Sequence, residues 1–196
     1  MEFYMSFEDV VIREYKKSDL DAVHRMLSSP EVYATTCAIP YMCSRSFAAA
    51  WIDNIRRCVK NKTDFEYGIF SAKTGEYIGN VGLIGIDYRN KSADITYIIT
   101  PQFWRRGYAV MCSKLLIAYG FERLGLMRIH GKCMDFNLAS KSVMQKCGFI
   151  YEGKGRSEMI KDDRQIDLEH YSLLKDEYLR LKRKIYYPSA YMPNIY

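Results

Sequence analysis

A chain of 196 residues that is 48 % hydrophobic can build one domain with a real core, and its composition excludes a disordered protein. Its formal charge of +6, from 29 basic and 23 acidic residues, suits a small anionic ligand and is thin for a nucleic-acid surface. No run of 18 apolar residues exists, "MEFYMSFEDVVI" carries acids where a signal peptide needs lysines, and none of the six cysteines forms a C-x-x-C pair. A membrane span, a secretory signal and a zinc site are therefore not expected, and the chain reads as a reduced, cytoplasmic protein.

"DVVIREY" (9–15) has the branched apolar content of a strand. A helix over 16–29 follows, capped by Ser18 or Asp19, with Leu20, Val23 and Leu27 on its apolar face. Residues 30–45 hold two prolines and no period, as a loop or short helix does. A second helix spans 46–61, where Phe47, Ala50, Trp51, Ile55 and Cys58 recur at helical spacing. Thr74-Gly75 and "RNKS" (89–92) read as turns between three antiparallel strands, near 65–72, 77–88 and 93–99. Gly79, Gly82 and Gly85 in the middle strand imply a bulge or a close backbone approach.

After Pro101 the period changes to that of a helix. Tyr108, Met111, Cys112, Leu115, Leu116 and Tyr119 share one face, with Ser113 and Lys114 on the other, and Gly125 ends it. Residues 127–134 form a strand. A helix over 137–147 is capped by Asn137 and stopped by Gly148. Strands at 149–154 and 166–175 flank a charged turn, and "DEYLRLKRKIYY" suits a basic helix. There is no repeat or linker, so one domain (1–180) with a basic, Tyr-rich tail (181–196) is expected.

The chemistry is densest at "FWRRGYAVM" (103–111). A helix start leaves main-chain N–H groups unpaired and carries partial positive charge. Gly107 removes the Cβ that would hold a phosphate away, and Arg105 and Arg106 add forked donors. Together they form a pyrophosphate cradle. The plainer alternative is a turn glycine beside two solvated arginines. Neither a P-loop nor a G-x-G-x-x-G dinucleotide fingerprint fits these residues.

Three stretches in order resemble the GNAT superfamily of N-acetyltransferases, most of all its branch acting on ribosomal-protein N-termini. They are "ADITYIITPQFWRRGYA", "NLASKSVMQKCGF" and "DLEHYSLLKDEY". The resemblance implies an α/β fold of α+β type, a mixed and mostly antiparallel sheet with flanking helices that splays open to hold acetyl-CoA. It implies that the backbone of Ile98, Ile99 and Thr100 pairs with the pantetheine arm. The N–H groups of Arg105, Arg106, Gly107, Tyr108, Ala109 and Val110 would hold the pyrophosphate. Asn137 would reach the pantetheine or acetyl region, or act only as a helix cap. Ser140 would stand near the thioester sulfur, or simply face water.

The chain also departs from the family. Met144 stands where many relatives have a general-acid tyrosine, and Lys132 where some have a glutamate. Arg105 replaces a usual glycine, and Met111 replaces a glutamate common in this branch. Ser140 is then the candidate acid, and Asp94 a candidate base whose alternative is an outward polar strand residue. His24, His130 and His170 are scattered and receive no role. The implied reaction is direct attack of a primary amine, from a protein N-terminus or a small molecule, on acetyl-CoA with no metal. The alternatives are a non-catalytic acyl-CoA-binding module and, less in keeping with the charge, a nucleic-acid binder using "RLKRKIYY". The acceptor pocket would come from 28–45 and 155–166, and tyrosine-rich surfaces would allow a homodimer.

Overall fold

The structure, a computed structural model, describes residues 3–184. The tail from 185 onward lies outside the described residues. One eight-stranded sheet organises the chain: β1 (Tyr4–Phe7), β2 (Val10–Arg13), β3 (Phe65–Ser71), β4 (Tyr77–Asp87), β5 (Ser92–Ile99), β6 (Arg128–Met134), β7 (Ile150–Lys161) and β8 (Arg164–Leu174). Their order is β1-β2-β3-β4-β5-β6-β8-β7. Every pair is antiparallel except β5 with β6. That exception follows from the connection, because a helix, α4 (Tyr108–Glu122), carries the chain from β5 back to the start of β6.

Helices cover both faces. On one lie α1 (Leu20–Leu27), α2 (Pro30–Thr35) and α3 (Arg45–Lys60), around a core that includes Val23, Met26, Leu27, Ile52, Ile55 and Phe70. On the other lie α4, α5 (Leu138–Lys146) and α6 (Lys175–Lys184), around a larger core. Tyr178 of α6 stacks on Phe121 of α4, with centroids 5.0 Å apart, and its hydroxyl donates to Glu122. The glycines of β4 behave as the sequence implied. Register shifts between Ile84 and Asp87, where Gly85 has φ +62°, and a Cβ on Gly82 would lie 2.7 Å from the Glu66 Cα.

Several expectations need correction. A first strand, β1, pairs with β2 through a tight turn at Glu8, which has φ +52°. Ser18 caps nothing. Asp19 occupies the cap position of α1, but its carboxylate binds the Arg13 guanidinium at 2.8 Å and the Lys16 amide at 2.7 Å. The buried face of α3 runs through Ala48, Ile52 and Ile55, leaving Ala50 exposed. Ser113 is buried, because α4 is covered by sheet and by α5, and its hydroxyl has no partner among the described residues. The charged turn expected near 155–165 is mostly strand. β7 and β8 run to a two-residue turn at Asp162 and Asp163, with φ +50° and +58°, the left-handed pair that a type I′ hairpin needs.

Candidate acetyl-transfer site

The site begins where the parallel pairing stops. β5 and β6 are in register only from Ser92 opposite Arg128 to Asp94 opposite His130. Beyond that, β5 continues along β4 as far as Ile99, and β6 continues along β8 as far as Met134. A wedge therefore opens between 95–99 and 131–134. The Thr100 amide donates to the Ile78 carbonyl at 2.9 Å, on the β4 side. Strand alternation then turns the main-chain groups of Ile98 toward β4 and those of Tyr97 and Ile99 toward the wedge. The Ile99 carbonyl accepts from the Trp104 indole at 2.6 Å, which ties the following loop to the strand end.

That loop is the candidate cradle. A single 3-10 turn over Pro101–Phe103 leads to Arg105, held at φ +62°, and to Gly107, at φ +85°. Two left-handed residues so close together aim successive N–H groups into one concavity. The first helical bond of α4 runs from the Met111 amide to the Gly107 carbonyl. The amides of Tyr108, Ala109 and Val110 are thus left without a main-chain acceptor among the described residues. A Cβ at Gly107 would meet nothing within 4 Å, so the space above it is open. Arg105 and Arg106 are exposed, and the Arg106 guanidinium lies 5.4 Å from the Phe103 ring centroid. Open space, three free amides and two guanidinium groups suit a pyrophosphate.

At the far side of the wedge stands the start of α5. Asn137 caps it, with its side-chain oxygen accepting from the Ser140 amide at 3.0 Å and its Nδ2 donating to the Thr35 carbonyl at 3.3 Å. The Ser140 Oγ is 2.8 Å from the Tyr97 hydroxyl, which also lies 3.2 Å from the Ser140 carbonyl oxygen. Burial pushes the Cys133 thiol, beside the same serine, up to about 11. Met144 is buried with its sulfur against Gly131, so it fills core volume and offers no donor to the site. Cys112 and Cys147 are likewise buried with their thiols pushed up by desolvation.

The opposite lip joins α2 to the tip of the β7–β8 hairpin. Lys161 donates to the carbonyls of Tyr33 and Thr36, both at 2.8 Å, and its ammonium sits 3.7 Å from the Tyr33 ring centroid. The Tyr33 hydroxyl donates to Asp162. Residues 28–45 and 155–166 therefore do meet. Between Gly155 and Met159 the register of β7 shifts, with Ser157 at φ +52°. That bulge folds Glu158 back over Gly155, and its carboxylate lies 2.5 Å from His170 Nε2. A Cβ on Gly155 would collide with Glu158. Asp94 sits at the mouth of the wedge beside His130, whose pKa is lowered by burial and by Arg128 despite the charge of Asp94.

The match to a family model decides the family. Residues 9–150 fit the acetyltransferase (GNAT) domain. The chain belongs to the GNAT family of acetyltransferases. The N-acetyltransferase YoaA of Bacillus subtilis is 30 % identical over 166 residues, covering 85 % of this chain and 93 % of YoaA. Two solved structures share the fold. RimL, a ribosomal L7/L12 alpha-N-protein acetyltransferase solved with coenzyme A, has a TM-score of 0.80 at 20 % identity, over 87 % of this chain and 97 % of RimL. The spermidine N-acetyltransferase of Vibrio cholerae, solved with coenzyme A and spermine, has a TM-score of 0.76 at 22 % identity, over 87 % and 98 %. This GNAT chain is an acyltransferase. Among the described residues no helix is long and apolar enough to cross a membrane, and no group of three or more metal-ligating side chains occurs.

Two pairs in this GNAT site escaped the sequence reading. Tyr97 looked like one more apolar strand residue, and 43 positions separate it from Ser140. Glu158 and His170 lay in what read as a solvated turn and a scattered histidine. A signal was available for the second pair: "KDDR" between two runs of similar length is a hairpin turn, and folding it places 158 near 170.

Proposed function

We propose that this GNAT enzyme moves the acetyl group of acetyl-CoA to a primary amine, either a protein N-terminus or a small amine, by direct attack. The observation that carries the reading is the cradle. Gly107 opens a left-handed helix start, with three free amides and two arginines, just past the strand where the sheet splays. Acetyl-CoA bound there supplies an activated thioester. The chain's own groups do the rest. The amides from Arg105 to Val110 hold the diphosphate, while the pantetheine arm runs along β5 at Ile98, Ile99 and Thr100, where Ile99 turns its main chain to the wedge and Ile98 and Thr100 turn theirs to β4. Asn137 fixes the first turn of α5, and with it Ser140.

The acceptor enters between α2 and the β7–β8 hairpin. Glu158, oriented by His170, is the group to take the proton that the amine loses on attack. Asp94 and His130 line the mouth of the same wedge. Relatives of the fold include enzymes named for ribosomal-protein and for spermidine substrates, which supports an amine acceptor without choosing between them.

Calorimetric titration of acetyl-CoA tests the reading, with an Arg106→Glu, Gly107→Glu double variant beside the wild type. Binding by the wild type and none by the folded variant is expected, because two carboxylates replace a donor and the open space above it. A variant that binds as tightly as the wild type would move the coenzyme away from this loop.

A further inference from the structure

We propose that a second cavity, where β2 parts from β3, binds a small aromatic anion. These strands pair only from Val10 opposite Ser71 to Arg13 opposite Gly68. β3 continues along β4 as far as Phe65 opposite Leu83, so residues 65–67 have a strand neighbour on one side only. Beyond Arg13 the chain is held by other partners. The Phe3 amide donates to the Glu14 carboxylate at 3.1 Å, and Arg56 Nε, on α3, donates to the Tyr15 carbonyl at 2.9 Å. The parting leaves a cavity of about 460 Å³, within the ~300–1,000 Å³ of small-molecule sites. Three strands, β3, β4 and β5, separate it from the wedge between β5 and β6.

Wall and rim differ in chemistry. Phe3, Val59, Phe65 and Tyr67 give an apolar, mostly aromatic wall, in which Tyr67 lies flat on Phe3 with ring centroids 3.7 Å apart. The rim carries Lys16, Lys60 and Lys62, all exposed. Their ammonium groups pair with no acid among the described residues. Arg56 adds a fourth cation, with Asp53 3.9 Å away, and Glu14 is the one carboxylate among the lining residues. The excess of cations favours an anion over an amine.

The observation that points to a ligand is the Tyr67 hydroxyl. The residue is 1 % exposed and lines the cavity, yet its hydroxyl has no hydrogen-bond partner among the described residues. A buried phenol normally finds one. Burial, reinforced by Tyr119 and Glu14, lifts its ionisation far above the usual phenol range, so it is a donor in want of an acceptor. A ligand of the proposed class meets each demand. Its ring lies on the aromatic wall, an acceptor atom takes the Tyr67 proton in a hydrogen bond, and its negative group sits among the lysines.

The probe is anilinonaphthalene sulfonate, titrated into the full chain and followed by its fluorescence. One molecule should bind per chain, more weakly as salt rises. The Lys60→Glu, Lys62→Glu variant should bind it about tenfold more weakly, and Tyr67→Phe about threefold to fivefold more weakly. A Lys73→Glu, Lys146→Glu variant carries the same change in net charge on exposed lysines outside the cavity and should keep the wild-type affinity. Phenylnaphthylamine, the same rings without the sulfonate, should bind all four proteins nearly alike, and this together with melting curves certifies their folds. Saturating acetyl-CoA should not displace either probe. Equal affinity in the two double variants would overturn the proposal, because the sulfonate would then be answering net charge alone. Wild-type affinity in Tyr67→Phe, displacement by acetyl-CoA, or a wild type that binds no sulfonate would each overturn it too.

Discussion

Arg105 offers a clean separation of backbone from charge. It is a non-glycine residue at φ +62°, in the loop position where a glycine would be at ease. The left-handed region costs an L-residue roughly 1 kcal/mol. Arg105→Gly should therefore be more stable than Arg105→Ala by about 1 kcal/mol, less a few tenths for the extra freedom of glycine in the unfolded chain. For a domain of this size that is roughly 2–4 °C in Tm. Both variants lose the same guanidinium. The side chain is exposed, so its attraction to a diphosphate is worth about 1 kcal/mol and is screened by salt. Acetyl-CoA affinity should fall about fivefold in both at low salt, and by less at high salt. Thermal melts and calorimetry at two ionic strengths read the two effects independently. An alanine variant as stable as the glycine variant would show that position 105 is not held left-handed in solution. Unchanged affinity would show that the guanidinium does not face the anion.

Two further outcomes are expected. Glu66 is half-buried beside Asn80, with Tyr15, Tyr77 and Asp64 around it, and desolvation raises its pKa from 4.5 to about 7. Between these values the unfolded chain is ionised while the folded one keeps its proton, so stability falls as pH rises through that window, by about 3 kcal/mol in all, and is level above it. Glu66→Gln should remove this slope in melts taken at pH 5 and pH 8, and parallel curves for the two proteins would refute the burial argument. Glu158→Gln should lower kcat at least tenfold with acetyl-CoA affinity unchanged, once an accepting amine is known. A wild-type kcat would assign the proton to another group on that lip.

The local features of this protein were legible because their causes are local. Arg105, Arg106 and Gly107 are contiguous, Pro101 stands four residues before them and the helical period begins beside them, so a candidate cradle follows from helix-end physics alone. Asn137 reads as a cap for the same reason, and it is one. The three central strands were legible through their turns. Ser113 shows the limit of that reasoning: periodicity counts one apolar face, whereas α4 is buried on more than one because α5 packs against it as well as the sheet. The short strand β1 shows another, since four residues with half their side chains exposed carry almost no pattern.

The chemistry depended on what sequence distance hides. β5 and β6 part after Asp94 and His130, each continuing along a different neighbour, and that parting, which no local pattern announces, sets the wedge between 95–99 and 131–134. Tyr97 meets Ser140 only because β5 and α5 flank that wedge. Glu158 meets His170 only because a bulge in β7 turns it back across the hairpin. Residue types and periods determine where helices start and where an anion would be welcome. Contacts between elements decide which side chains share a proton, because the energy of such a contact is collected only after the whole sheet has closed around it.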